Sequence, residues 1–124
     1  MTSGGTLLCM VPGDARIAAL RKGSLEFCVL ALLADGQRYG VELVRALGGI
    51  DGLEITEGTL YPLLSRLRRD GVVTTTWQES PSGPPRRYYA LSDAGRRALR
   101  EFREEWCRYR DAVDRLLGTG GNQT

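Results

Sequence analysis

Between residues 99 and 116 the chain places Leu99, Phe102, Trp106, Tyr109, Val113 and Leu116 at alternating spacings of three and four. That is the heptad seam of an α-helix lying along another helix. The rest of the same segment is strongly charged, with Arg96, Arg97, Arg100, Glu101, Arg103, Glu104 and Glu105. A helix with one narrow apolar stripe and so polar a remainder projects from its own domain and buries the stripe against a partner. Ser92 begins it and the Gly118-Thr119-Gly120-Gly121 run dissolves it, so a helix over 92–117 and a disordered polar tail over 118–124 are expected.

At 124 residues the chain is the size of one ordinary domain. Residues 1–19 read as an N-terminal arm: Met1 to Gly13 is unpatterned, and Asp14 offers a cap for a helix running toward Lys22 that Gly23-Ser24 interrupts. Leu25 to Ala34 is apolar nearly all round, as a central helix is, and Asp35-Gly36 ends it. Tyr39 to Leu47 predicts a short amphipathic helix, with Val44 and Leu47 toward the core and Glu42 and Arg45 toward water, stopped by Gly48-Gly49. Leu53 and Ile55 alternate with polar neighbours like one short strand. Thr56 then offers an N-cap, and Leu60, Leu64 and Leu67 mark a helical face as far as Asp70-Gly71. Pro62 has no N–H for the carbonyl of Gly58, which moves the expected start of this helix nearer Thr59. Val72 to Glu79 and Arg86 to Leu91 are strand-like runs joined by Ser80-Pro81-Ser82-Gly83-Pro84-Pro85, a β-hairpin with a protruding tip.

Several function classes drop out. The sequence contains no histidine, which removes the commonest general base and every Ser-His or Cys-His pair, and no other constellation of nucleophile, base and orienting group can be assembled. An enzyme is not expected. Cys9, Cys28 and Cys107 lie far apart and cannot furnish a structural zinc site, so neither metal nor cofactor is expected. Cys28 sits in an apolar run, where a free cysteine is a core residue more often than a redox sensor. The longest apolar run, Phe27 to Ala34, falls well short of the roughly 20 residues of a membrane helix, and nothing marks export, which places the protein in the cytoplasm.

Net charge is only +2, so charge distribution carries the functional argument. Of the 17 basic residues one is lysine, Lys22, and 16 are arginine, the side chain suited to bidentate contact with phosphate and guanine. Three helices followed by a hairpin with a basic second strand is the winged helix-turn-helix plan, an α+β fold that is mostly α, here over residues 20–91. The B-form major groove admits one helix while basic residues on a flanking hairpin hold phosphates or enter the minor groove. The third helix offers Thr59, Tyr61, Ser65 and Arg66, and the wing offers Ser82, Gly83, Arg86 and Arg87. The competing readings are a solvated strand end for Arg86-Arg87, a core aromatic for Tyr61, and simple packing of Tyr39 against the second helix. A winged helix that binds protein rather than DNA is the alternative function, and it would present a neutral or acidic face.

The residues that carry these features also resemble a known family. Leu20-Arg21-Lys22-Gly23-Ser24-Leu25, Tyr39-Gly40, Glu57-Gly58-Thr59-Leu60-Tyr61-Pro62, Leu67, Gly71, Arg87-Tyr88-Tyr89, Leu91-Ser92 and Gly95 are similar to the PadR family of transcriptional regulators, from about Leu20 to Leu117. The resemblance implies a homodimer, usually a repressor of a double-stranded DNA operator, built through the last and first long helices and often released by a small molecule. Carried over by position, it implies that Tyr39, Thr59, Tyr61 and the Arg86-Arg87 wing face DNA and that Trp106 lies in the dimer interface. A chamber of Phe27, Cys28, Phe102 and Trp106 would either take a flat aromatic effector or close as a dry core. Two features depart from the family's pattern: the N-terminal extension of about twenty residues, and Pro84-Pro85, which stiffens the wing tip. The single last helix resembles the family's short subgroup.

Overall fold

The apolar run after Ser24 forms helix α1 (Leu25–Leu33), which turns Val29, Leu30 and Leu33 wholly inward. It is the centre of a computed structural model that describes residue 18 and residues 20–120. The arm and the Asp14 cap expected before residue 18 lie outside the described residues, as does the end of the tail from residue 121. Gly36, at φ +149°, ends the turn after α1, and the chain enters a two-residue strand, β1 (Arg38–Tyr39).

Helix α2 (Gly40–Gly48) buries Gly40, Leu43 and Leu47, with Val44 packed partly beside them. Glu42, expected to face water, turns back instead: its carboxylate accepts the Tyr39 N–H at 3.1 Å, closing the first turn. Residues 53–56 form no strand. Leu53 and Ile55 are half-buried and pack onto the core from an irregular segment, so their alternation reflects docking rather than sheet pairing.

Helix α3 (Glu57–Arg69) begins two residues before the proline argument placed it. Thr56 caps it, its hydroxyl oxygen accepting from Thr59 N at 3.3 Å, and Pro62 costs only one bond, to the carbonyl of exposed Gly58, where water can substitute. Leu60, Leu64 and Leu67 are buried as the periodicity predicts.

The hairpin strands are β2 (Val73–Gln78) and β3 (Arg86–Leu91), antiparallel, with Val73 opposite Leu91 and Trp77 opposite Arg87. β1 pairs along the other side of β3, with Arg38 opposite Tyr89 and Tyr39 opposite Tyr88, so the sheet order is β1-β3-β2. Val73, Tyr89 and Leu91 close the core against the leucines of the three helices.

Helix α4 (Asp93–Leu117) spans 25 residues. Ser92 caps it twice over, accepting from Gly95 N at 3.0 Å and donating to Gly71 O at 2.6 Å, and Gly118 at φ +74° ends it in the left-handed conformation. Among the described residues, helices α1 to α4 and the small antiparallel sheet form the expected mostly α winged helix. Only the start of α4 is packed into it: Gly95 and Leu99 are buried, Phe102 is half-buried, and the helix then leaves the domain. Among the described residues no helix is long and apolar enough to cross a membrane.

Candidate nucleic-acid interface

Helix α3 presents to solvent the face opposite its leucines. Thr59, Tyr61, Ser65 and Arg66 all lie on it, exposed. Beside it stands the wing, whose loop over residues 79–85 carries Ser82 and Gly83, the latter at φ +128°, and leads directly into Arg86 and Arg87. Thr59 and Arg66 line a groove with Lys22 and Glu26, on the flank of α3 toward α1. Of the α3 candidates, Tyr61 is the one that meets Arg86 and Arg87 of the wing, and Tyr39 at the end of β1 joins them.

The junction between them is a cleft of about 380 Å3, lined by Tyr39, Gly40, Val41, Arg45, Tyr61, Trp77, Arg86, Arg87 and Tyr89. Its origin is the shortness of β1. After Tyr39 the chain turns into α2, so β3 loses its neighbour just where Arg87 and Arg86 begin, and the open edge of the strand faces the first turn of the helix. The guanidinium of Arg86 lies 4.4 Å from the centre of the Tyr39 ring, and that of Arg87 lies 4.9 Å from the centre of the Trp77 ring. Tyr39 also meets Tyr88 edge-on at 5.4 Å. Arg87 Nε is sealed from solvent and has no hydrogen-bond partner.

Tyr61 serves both readings that the sequence left open. Its hydroxyl end packs so closely over Gly40 that a Cβ there would lie 2.2 Å from the oxygen, yet the residue keeps 38% of its surface exposed. Partial burial pushes its phenol upward from the usual range, helped by the Glu57 carboxylate. Arg66 is engaged differently from the expectation of a free recognition side chain: it forms a salt bridge with Glu26 of α1. Of the residues lining the cleft, Gly40, Val41, Arg45, Trp77 and Tyr89 were not singled out from sequence as part of an interface. The register of the hairpin, which sets Trp77 opposite Arg87, is the signal that would have found Trp77.

Between α1 and α4, Phe27 and Phe102 stack face to face, with ring centres 4.0 Å apart and planes 1° from parallel, and Trp106 continues the stack at 6.2 Å. Cys28 is half-buried against the core, and burial raises its thiol above the ordinary range. A second cleft of about 340 Å3 lies between Leu20, Lys22, Gly23 and Ser24 and the α4 residues Phe102, Trp106 and Tyr109. Beyond it the seam is open: Trp106 is 41% exposed, Tyr109 65% and Leu116 88%, with Val113 half-buried between them.

The fold and these motifs have known counterparts. The family model of the PadR-like transcriptional regulators matches residues 29–101. A transcriptional regulator of Mycobacterium tuberculosis is 35% identical over 107 residues, which cover 84% of this chain and 96% of that one. Among solved structures, a PadR family transcriptional regulator from Eggerthella lenta is 38% identical with a TM-score of 0.75, covering 86% of this chain and 92% of its own. A PadR-like transcriptional regulator from Bacillus cereus is 33% identical with a TM-score of 0.74, covering 82% and 99%.

Proposed function

Because the chain belongs to the PadR-like family of transcriptional regulators, whose members regulate transcription rather than catalyse reactions, we propose that it represses transcription as a homodimer bound to an inverted-repeat operator in double-stranded DNA. The observation that carries this reading is the meeting, in one cleft, of Tyr61 on the exposed face of α3 with Tyr39 and the arginine pair of the wing. In this reading residues 20–91 hold DNA. Thr59, Tyr61 and Ser65 approach base edges in the major groove, while Tyr39, Ser82, Gly83, Arg86 and Arg87 hold the backbone or the minor groove. Arg66 reaches DNA by exchanging Glu26 for a phosphate.

Residues 92–117 dimerise. A monomer would leave Trp106, Tyr109 and Leu116 in water along one stripe, a cost that a second copy removes by burying the same stripe symmetrically. Two copies of α3 would then meet half-sites about 34–36 Å apart, one turn of DNA. The cleft beside Phe102, Trp106 and Tyr109 lies against that interface and is the place for a small aromatic effector that releases DNA.

The test is the salt dependence of DNA binding by wild type and by Arg86→Ala/Arg87→Ala. If both arginines meet phosphates, affinity falls for all sequences, and the slope of log K against log salt flattens by about 1.8, roughly 0.9 per lost contact. An unchanged slope would remove the wing from the interface. Replacing Tyr61 should instead change the preference among operator sequences.

A further inference from the structure

The cleft at the open edge of β3 is built for more than a stretch of backbone. We propose that it binds a small planar ring bearing a phosphate, with the chemistry of a free mononucleotide, and that this ligand and DNA exclude one another. The exclusion rests on the DNA-binding reading above; the binding itself does not.

Three arginines, Arg45, Arg86 and Arg87, line the cleft, and no carboxylate does. The first turn of α2 adds the backbone of Gly40 and Val41, whose N–H groups have no partner within the helix and carry the positive end of its dipole. Glu42, in that same first turn, keeps its carboxylate on Tyr39 N at 3.1 Å, a single negative charge against the three arginines. So dense a set of donors calls for a multiply charged anion. Arg87 is half-buried, its Nε sealed from solvent and its guanidinium packed on Trp77, so this charge is held at the cleft wall rather than free in water.

A bare phosphate would leave most of the cleft unused. Its remaining walls are the rings of Tyr39, Tyr61, Trp77 and Tyr89, and its volume of about 380 Å3 falls in the ~300–1,000 Å3 range of ligand pockets. Trp77 is 64% exposed and does not belong to the core, yet Arg87 holds its ring at the cleft wall. A stacked guanidinium and indole together form a flat platform on which a planar ring can lie, with its phosphate toward Arg86 and the α2 terminus.

Calorimetry on the full chain with adenosine 5′-monophosphate, adenosine and inorganic phosphate tests this. The monophosphate should bind at least about tenfold more tightly than either fragment, because ring and anion sites then act together. Arg87→Ala should weaken it about tenfold or more, the loss expected for a charge-assisted bond. Trp77→Ala should erase the advantage over inorganic phosphate, and the remote Arg110→Ala should change nothing. Should Arg87→Ala fail to fold, Arg87→Lys keeps the charge but loses the planar stack, and should weaken the nucleotide similarly. In the DNA assay, the monophosphate should raise the apparent Kd for a duplex in proportion to its concentration. Nucleotide binding no tighter than phosphate, or indifferent to both Arg87 and Trp77, overturns the site. DNA binding without nucleotide binding defeats this inference alone. Nucleotide binding through Arg87 and Trp77 in a protein that ignores DNA upholds the site and defeats the DNA reading.

Discussion

Replacing Gly95 by alanine tests the joint between the wing and the long helix. The position is buried in the first turn of α4, and a Cβ there would stand 2.1 Å from the carbonyl oxygen of Val72 and 3.0 Å from Leu91 Cδ2. The nearest obstacle is main chain, and that carbonyl already accepts the N–H of Ser92 at 3.1 Å, so it cannot swing aside as a side-chain tip could. To reach ordinary contact, helix and strand must part by more than an ångström, which pulls on the Ser92 cap and the Gly71 turn together. Overpacking costs about 1–3 kcal/mol and a clash with main chain lies in the upper part of that range, about 2–3 kcal/mol; alanine's better helix propensity returns ~1 kcal/mol, so the net loss is about 1–2 kcal/mol. Urea denaturation at equal protein concentration should show a lower midpoint with an unchanged slope. Gly48→Ala is the counterpart: no atom lies within 4 Å of its would-be Cβ, so it should gain about 0.5–1 kcal/mol. The reasoning is refuted if Gly95→Ala is as stable as wild type, or if the two variants shift stability in the same direction.

Ser92→Ala should cost about 1–2 kcal/mol, more than an ordinary cap, because it strands both Gly95 N and Gly71 O; thermal unfolding reads it. Phe102→Ala removes a ring stacked at 4.0 Å on Phe27, and should cost about 2–3 kcal/mol for a half-buried aromatic, while loosening the dimer in sedimentation. Cys107 is exposed and Cys28 half-buried with a raised thiol, so a disulfide-exchange reagent should modify Cys28 in a Cys9→Ser/Cys107→Ser protein more slowly than Cys107 in a Cys9→Ser/Cys28→Ser one. Cys28 and Tyr61 both ionise less readily folded than unfolded. Their contribution to stability is therefore complete below the ordinary thiol and phenol ranges and is lost as pH climbs through the raised values, a decline that alkaline unfolding curves should show.

How much of this was legible in the residues depended on whether the signal was local. The caps at Thr56 and Ser92, the leucine face of α3 and the limits of β3 are written in side chains that act on their own element, and the structure has them where the pattern puts them. Leu53 and Ile55 misled because alternation over so short a run cannot separate a strand from a segment lying on a core. β1 was invisible for the opposite reason: two residues have no period, and Arg38-Tyr39 becomes a strand only because β3 offers an edge. Arg86, Arg87, Tyr39 and Tyr61 were legible as candidates. The cleft they share was not, because it depends on where α2 begins relative to β3. Nor was the Glu26–Arg66 salt bridge, which joins residues 40 apart in sequence.

The account's central claim is that this chain holds operator DNA through α3 and the wing as a pair of subunits. Binding of the purified protein to labelled DNA from upstream of its own gene, against random DNA and across several salt concentrations, tests it most directly. The account predicts two protomers per site, a preference for the upstream sequence, and affinity that falls steeply as salt rises. Failure to bind either DNA even at low salt, in protein shown to be free of bound ligand, would contradict it.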